Sequence, residues 1–145
     1  MKTVIKIFAA LTLLFMTSSF AAAQNSLVKH INQDEFRAQI CDFVQSPTWQ
    51  YKGKKPCVID FYATWCGPCR MVAPILKDLA KEYGDSIVVY KVDTDKEKEL
   101  SMAMGIQSFP TIVFIPQTGQ PQIIVGAADK ATFRRAIDEV LLGKK

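Results

Sequence analysis

Between residues 57 and 83 the chain reads CVIDFYATWCGPCRMVAPILKDLAKEY, and this stretch decides the fold. Its first seven residues form a nearly continuous apolar run, which is typical of a central strand covered on both faces. From Arg70 to Tyr83 apolar residues recur at helical spacing, and Gly84 is a typical helix end. The inward side of this helix is predicted to carry Met71, Val72, Ile75, Leu76, Leu79 and Ala80. The stretch therefore predicts a buried strand, a tight turn and a long helix.

Cys66 and Cys69 stand three residues apart at the predicted start of this helix. Neighbours at i and i+3 lie close together on a helix, and a disulfide needs a Cα separation of about 4.4–6.8 Å. Cys66 also lies where unpaired backbone N–H groups and the positive end of the helix dipole stabilise an anion. We therefore expect the pKa of its thiol to fall below the value of about 8.5 of a free cysteine. The pair suits a reversible dithiol–disulfide couple.

Two other uses of the cysteine pair are less favoured. A zinc site normally needs a second pair of Cys or His ligands, and the chain offers only His30, Cys41 and Cys57, which lack that spacing. A purely structural disulfide would close a very short loop, which restrains the unfolded chain far less than a long loop does. Redox chemistry is therefore the main interpretation, with metal binding and a structural bridge as alternatives.

The first 23 residues are typical of a cleavable export signal. Lys2 and Lys6 precede an apolar run over residues 7–16, and small residues end the segment at Ala23. The apolar run is shorter than the roughly 20 residues that span a bilayer, so we expect no stable membrane insertion. Cleavage after Ala23 would leave residues 24–145 as a single domain, periplasmic or otherwise exported.

The charge balance argues against a nucleic-acid partner. The net charge is +4 for the whole chain, and it falls to +2 when the two lysines of the leader are removed. The lysine cluster within residues 52–55 is too short for a binding stripe and fits a solvated loop.

The remaining patterns predict alternating helices and strands. Asn32 and Glu35 have the spacing of a capping box, and apolar residues continue at helical spacing through Val44. The rest of the chain predicts a strand over residues 87–92, a short helix ended by Gly105, strands over 111–115 and 122–125 joined by a hairpin turn, and a last helix capped by Asp129. This order predicts an α/β fold with a mixed central sheet flanked by helices.

The segment from Asp60 to Pro74 resembles the cysteine-containing segment of the thioredoxin family. Lys91-Val92-Asp93, Phe109-Pro110-Thr111 and Gly126-Ala127 follow at that family's spacing. The resemblance covers nearly all of the chain after the leader and implies a thioredoxin-like fold. Together with the leader, it makes the chain similar to secreted or periplasmic thioredoxins.

The resemblance implies catalytic roles for four residues. Cys66 would attack a disulfide of a partner protein, and Cys69 would resolve the mixed disulfide. Asp60 would accept a proton from Cys69, directly or through a water molecule, and Lys91 would modulate this carboxyl. Burial within a strand disfavours a charged carboxyl, so the pKa of Asp60 should be raised. The alternatives are a solvated carboxylate at a strand end for Asp60 and a surface lysine at a sheet edge for Lys91.

The resemblance also implies a shallow client-binding surface made of Trp65, Gly67, Pro68, Phe109, Pro110, Gly126 and Ala127. Pro110 would follow a cis peptide bond, and the backbone of Phe109 would offer hydrogen-bonding groups to an extended peptide. Pro68 would set the backbone of the first helical turn and hold the two cysteines in bonding geometry. Phe109 departs from the aliphatic residue common before this proline, and its alternative is an ordinary core aromatic.

Cys41 and Cys57 leave two interpretations open. An even number of cysteines in an exported protein favours disulfides. Buried cysteines that behave as small hydrophobic residues are the other interpretation, and the Cα separation decides between the two.

These patterns predict a thiol–disulfide oxidoreductase that acts on protein disulfides, and Gly67-Pro68 resembles the reducing members of the family. A reductant outside the cytoplasm would need electrons from a membrane donor or a reductase. Two alternatives are an exported disulfide oxidant or isomerase, and a thioredoxin-like binding or chaperone module whose cysteines are incidental. We expect a monomer with no bound metal or other cofactor.

Overall fold

Five strands form the centre of the computed structural model, which describes residues 26–46 and 48–144. In chain order they are β1 (Val28–His30), β2 (Cys57–Tyr62), β3 (Val88–Asp93), β4 (Thr111–Ile115) and β5 (Gln122–Val125). They make one sheet in the order β1-β3-β2-β4-β5. β1, β3 and β2 run parallel, whereas β4 is antiparallel to β2 and β5 is antiparallel to β4. The predicted mixed sheet is confirmed.

Four helices cover the sheet: α1 (Gln33–Gln39), α2 (Gly67–Tyr83), α3 (Lys98–Ala103) and α4 (Lys130–Ala136), which a π-helical turn over Ile137–Leu141 extends. One face of the sheet packs against α2 and α4 through a cluster that includes Val58, Leu76 and Phe133. The other face packs against α1 and α3 through Phe36, Ile59 and Leu100. Full burial of each such side chain contributes about 1.5–3 kcal/mol, so helices on both faces are needed to cover the central strand.

The edge strand β1 is absent from the elements that the sequence predicts. It has only three residues, and two of them are exposed. So short a strand has no alternating apolar pattern, and it forms because Val28, Lys29 and His30 pair with β3.

Helix α1 begins as predicted but ends early. The Asn32 side chain accepts a hydrogen bond from the Glu35 N–H, and the Glu35 carboxylate accepts one from the Asn32 N–H, which completes the capping box. Beyond Ile40, however, the Asp42 carboxylate accepts hydrogen bonds from the N–H groups of Val44 and Gln45. These bonds favour a turn over a further helical turn. The predicted continuation through Val44 is therefore wrong, and the Val44 side chain is exposed.

Met71 is a second correction. The sequence places it on the inward side of α2, but its side chain is 61% exposed, whereas the adjacent Val72 is fully buried. Successive residues of a helix are turned by about 100°, so one side chain of a neighbouring apolar pair can lie outside the buried stripe.

The predicted export signal, residues 1–23, lies outside the described residues, so its cleavage and the domain boundary stay predictions. Within residues 26–46 and 48–144, no helix combines the length and the apolar character needed to cross a bilayer.

Candidate active site

The site forms where β2 passes into α2. The chain leaves the sheet at Tyr62, turns, and enters the helix with Cys66 as its N-cap residue. The Cys69 N–H donates a hydrogen bond to Cys66 Sγ at 3.2 Å, so the first sulfur satisfies one of the free donors at the helix start. Pro68 occupies the first turn, where its missing N–H costs no helical hydrogen bond.

Cys66 and Cys69 are joined by a disulfide, and their Cα atoms lie 5.4 Å apart. This separation falls within the range that the spacing predicts. The exposed fractions of the two residues are almost equal, 5% for Cys66 and 4% for Cys69. In the oxidised protein the two sulfurs therefore differ in their position on the helix rather than in their exposure.

Two aromatic side chains border the disulfide. Trp65 is 66% exposed, and its ring meets that of Phe109 edge to face, with 5.8 Å between the centroids. The indole N–H of Trp65 donates a hydrogen bond to Asp95 at 3.4 Å. Phe109 is half-buried and packs against the cluster formed by Ala63 and the two cysteines. It is therefore an aromatic of the site and not only of the core.

The loop before β4 completes this surface. The peptide bond between Phe109 and Pro110 is cis, as the resemblance implies. The Gly126 N–H donates a hydrogen bond to the Pro110 carbonyl at 2.8 Å, which ties the end of β5 to the proline loop. Gly126 has a φ of 89°, a conformation that disfavours any side chain with a β-carbon. The exposed residue Ala127 follows it.

Asp60 is a buried carboxyl on β2. Its exposed fraction is 3%, and its Oδ1 atom has no hydrogen-bond partner among the described residues. Burial raises the pKa of Asp60 to about 6, although the nearby positive charge of Lys91 acts in the opposite direction. The alternative of a solvated carboxylate at a strand end is wrong.

Lys91 lies on β3 opposite Asp60. β3 runs between β1 and β2, so the alternative of a sheet-edge lysine is wrong. The Lys91 ammonium lies over the Tyr62 ring, 4.1 Å from its centroid. An ammonium in this position is attracted by the electrons of the ring face.

Tyr62 and His30 are neighbours of the site that sequence reasoning missed. The His30 ring meets Tyr62 edge to face at 6.4 Å, and His30 pairs with Lys91 in the sheet. Partial burial, followed by the charge of Lys91, lowers the pKa of His30. A signal for Tyr62 was present, because it stands two residues after Asp60 in one strand and such residues share a face. No comparable signal exists for His30, whose strand was not predicted.

Cys41 and Cys57 are free and buried, and both belong to the core cluster between the sheet and α1. Burial raises the pKa of the Cys57 thiol to about 12, only partly offset by a hydrogen bond with Tyr51. The interpretation as small hydrophobic residues fits the structure, whereas the disulfide alternative does not. Cys41 also lies just beyond α1 rather than on it.

The part of the chain that the structure describes contains no group of three or more His, Cys, Asp or Glu side chains placed to bind a metal ion.

Comparison with known proteins gives a family model, described as Thioredoxin, that matches residues 27–139. The chain belongs to the thioredoxin family. It is 44% identical over 109 residues to a thioredoxin of Borreliella burgdorferi, an alignment that covers 75% of this chain and 93% of the relative. It is also 33% identical over 128 residues to the chloroplastic M-type thioredoxin of Pisum sativum, covering 86% of this chain and 73% of the relative.

Solved structures agree with this family membership. The crystal structure of chloroplastic thioredoxin z superposes with a TM-score of 0.67 at 28% identity, covering 78% of this chain and 93% of that one. A thioredoxin of Malassezia sympodialis superposes with a TM-score of 0.63 at 35% identity, covering 77% of this chain and 89% of that one. With the Cys66–Cys69 disulfide at its centre, this thioredoxin-family protein is a thiol–disulfide oxidoreductase that reduces protein disulfides.

Proposed function

We propose that this protein is an exported protein-disulfide reductase in which Cys66 attacks and Cys69 resolves. The observation that supports these roles is the position of Cys66 as the N-cap of the 17-residue helix α2. In the reduced protein the helix start favours a thiolate at Cys66. Cys69 lies within the first turn, bonded to Cys66 in the oxidised state and in reach of the mixed disulfide.

The proposed reaction has two exchanges. The Cys66 thiolate attacks one sulfur of the client disulfide, forms a mixed disulfide and expels the other client sulfur as a thiolate. Cys69 then loses its proton and attacks Cys66, which re-forms the Cys66–Cys69 disulfide and releases the second client thiolate. The client gains two electrons and the protein loses two. The protein gives up the Cys69 proton in these steps, and the two client thiolates take up protons from solvent.

Asp60 is the proposed acceptor of the Cys69 proton. A general base works best when its pKa lies near the operating pH. The pKa of Asp60, about 6, lies much closer to pH 7 than the pKa of an ordinary aspartate does. Lys91 is proposed to modulate Asp60 through its charge, since the two residues are paired across β2 and β3.

The proposed client-binding surface surrounds the disulfide. Trp65 offers an exposed ring, and the cis Phe109–Pro110 segment is proposed to offer backbone hydrogen-bonding groups to an extended client peptide. Gly126 and Ala127 border that segment, because the Gly126 N–H bonds the Pro110 carbonyl. A client cysteine in an extended stretch would thus be gripped next to the reactive sulfur.

The reducing direction can be tested by the equilibrium potential of the Cys66–Cys69 couple against glutathione. We expect a value of about −270 mV, the potential known for thioredoxin itself. The reason is that Gly67-Pro68 resembles the pair of residues between the cysteines of reducing thioredoxins. Mass spectrometry of the alkylated equilibrium mixture measures the reduced fraction. A potential well above the glutathione pool would assign the protein to the oxidant or isomerase alternative.

Export can be tested on the chain expressed with its first 23 residues. We expect the mature protein outside the cytoplasm to begin at Gln24, because small residues end the leader at Ala23. Intact-mass measurement of the exported fraction checks the cleavage site. A variant with Lys2 and Lys6 replaced by glutamate should accumulate uncleaved. Retention of the unsubstituted protein in the cytoplasm with its leader intact would contradict the proposal.

An exported reductant must be re-reduced. The proposed donor is a membrane protein or a reductase that presents its own dithiol to the same surface, since protein thiols exchange electrons by direct sulfur attack. The protein itself is proposed to act as a monomer.

A further inference from the structure

The Lys91 side chain has two possible partners. Its backbone is paired with that of Asp60 on β2, and neighbouring strands lie only about 4.8 Å apart. Tyr62 follows Asp60 by two residues on the same face of β2. A flexible four-carbon stem lets the ammonium reach either the carboxyl or the aromatic ring.

The structure places the ammonium on the ring. Lys91 Nζ lies 4.1 Å from the centroid of Tyr62. Within the described residues no ion pair joins Lys91 to Asp60, and Asp60 Oδ1 accepts no hydrogen bond. The Tyr62 side chain also packs against the cluster of Ala63, Cys66 and Cys69.

We propose that Tyr62 is a positioning residue whose ring holds the Lys91 ammonium away from the Asp60 carboxyl and leaves that carboxyl without a neutralising partner. An aspartate in direct contact with a lysine would ionise more easily and would become a weaker proton acceptor. The consequence for catalysis rests on the proposed proton role of Asp60, whereas the placement of the ammonium does not.

The other charged groups around Tyr62 do not compete for Lys91. Asp93 is paired with Lys96 at 3.6 Å and is therefore already partnered. His30 touches Tyr62 from β1 and adds no negative charge. Burial raises the pKa of Tyr62, and the charges of Asp93 and Asp60 act in the same direction, so the ring stays neutral. The disulfide on α2 carries no charge.

The test compares Tyr62→Leu, which removes the ring, with the matched control Tyr62→Phe, which keeps it. The Asp60 carboxyl is titrated by carbon-13 nuclear magnetic resonance in the oxidised full chain, where Cys66 and Cys69 are bonded to each other and do not ionise. We expect Tyr62→Leu to lower the pKa of Asp60 by about one unit or more, because the freed ammonium then reaches the carboxylate. Tyr62→Phe should titrate like the parent. An unchanged titration in Tyr62→Leu would overturn the inference.

A second pair of variants distinguishes a shift caused by the Lys91 ammonium from a shift caused by hydration of the Asp60 carboxyl. In a Lys91→Met background there is no ammonium to move, so Tyr62→Leu should leave the Asp60 titration unchanged. The same downward shift in both backgrounds would attribute the effect to water and overturn the inference. Tyr62→Met, whose unbranched and flexible side chain adapts to the space left by the ring, replaces Tyr62→Leu should the latter unfold.

Kinetics distinguish this inference from the proposed role of Asp60. Tyr62→Leu should slow client release most strongly above about pH 6, because Asp60 is then ionised in both proteins and the variant carboxylate is the weaker proton acceptor. Tyr62→Phe should keep the parent pH profile. A shifted Asp60 titration with an unaltered pH profile would support the placement of Lys91 and contradict the proton role of the carboxyl.

Discussion

Replacement of Cys66 by serine is expected to abolish the catalysis of insulin reduction by this protein. The rate with dithiothreitol should fall to that of dithiothreitol alone. Serine cannot form the mixed disulfide, and its hydroxyl does not ionise near neutral pH. The helix start that stabilises a Cys66 thiolate then has no nucleophile to activate. Turbidity of precipitating insulin chains measures the rate. The expected loss is total because Cys69 alone cannot complete the two exchanges, and the other described cysteines, Cys41 and Cys57, are buried in the core.

The controls for this prediction are two further cysteine variants. Cys69→Ser keeps the attacking sulfur but removes the resolving one, so it should accumulate a mixed disulfide with a client that non-reducing electrophoresis detects. Cys41→Ala changes a free, buried cysteine outside the site and should keep the parent rate. Unimpaired client binding and cellular function after replacement of both Cys66 and Cys69 would favour the binding-module alternative over the enzyme.

Asp60→Asn is expected to make the protein more stable at neutral and alkaline pH. Burial raises the pKa of Asp60 from 3.8 to about 6, so the folded state favours the protonated carboxyl. The protonated Asp60 carboxyl makes its full contribution to the free energy of unfolding below about pH 4, and this contribution is lost as the pH rises through about 6. Two pKa units correspond to about 3 kcal/mol, which the asparagine variant should recover at pH 8. Urea unfolding of the oxidised protein over this pH range measures the difference.

The control for Asp60→Asn is Asp34→Asn, which changes an exposed carboxyl in the first turn of α1. It should alter the free energy of unfolding by less than about 1 kcal/mol at every pH, since exposed helix-terminal charges contribute little. A gain for Asp60→Asn that is equally large at pH 4 and pH 8 would show that ionisation of the carboxyl is not its cause.

Asp60→Asn should also reduce insulin more slowly than the parent, by about 100-fold if general-base assistance is lost completely. Higher stability combined with lower activity is the pattern of a group kept for function at the expense of folding free energy. Asp60 is buried and has no hydrogen-bond partner on Oδ1 among the described residues, so it fits that description.

Short-range features of this protein were determined by the sequence alone. The apolar run of β2, the cysteine spacing at the start of α2 and the capping box of Asn32 and Glu35 each depend on residues a few positions apart. Covalent geometry and the helical repeat fix such relations, so the residue pattern is sufficient to predict them. The buried state of Asp60 followed in the same way from its place in an apolar strand.

Only the tertiary structure decided the partners of these residues. His30, Lys91 and Asp60 form one row across β1, β3 and β2, although long stretches of chain separate them. Whether Lys91 contacts Asp60 or Tyr62, and whether Cys41 bonds Cys57, depends on strand register and side-chain packing. A shift of one residue in register would turn every side chain of a strand to the opposite face, so these contacts exist only once the whole sheet has formed.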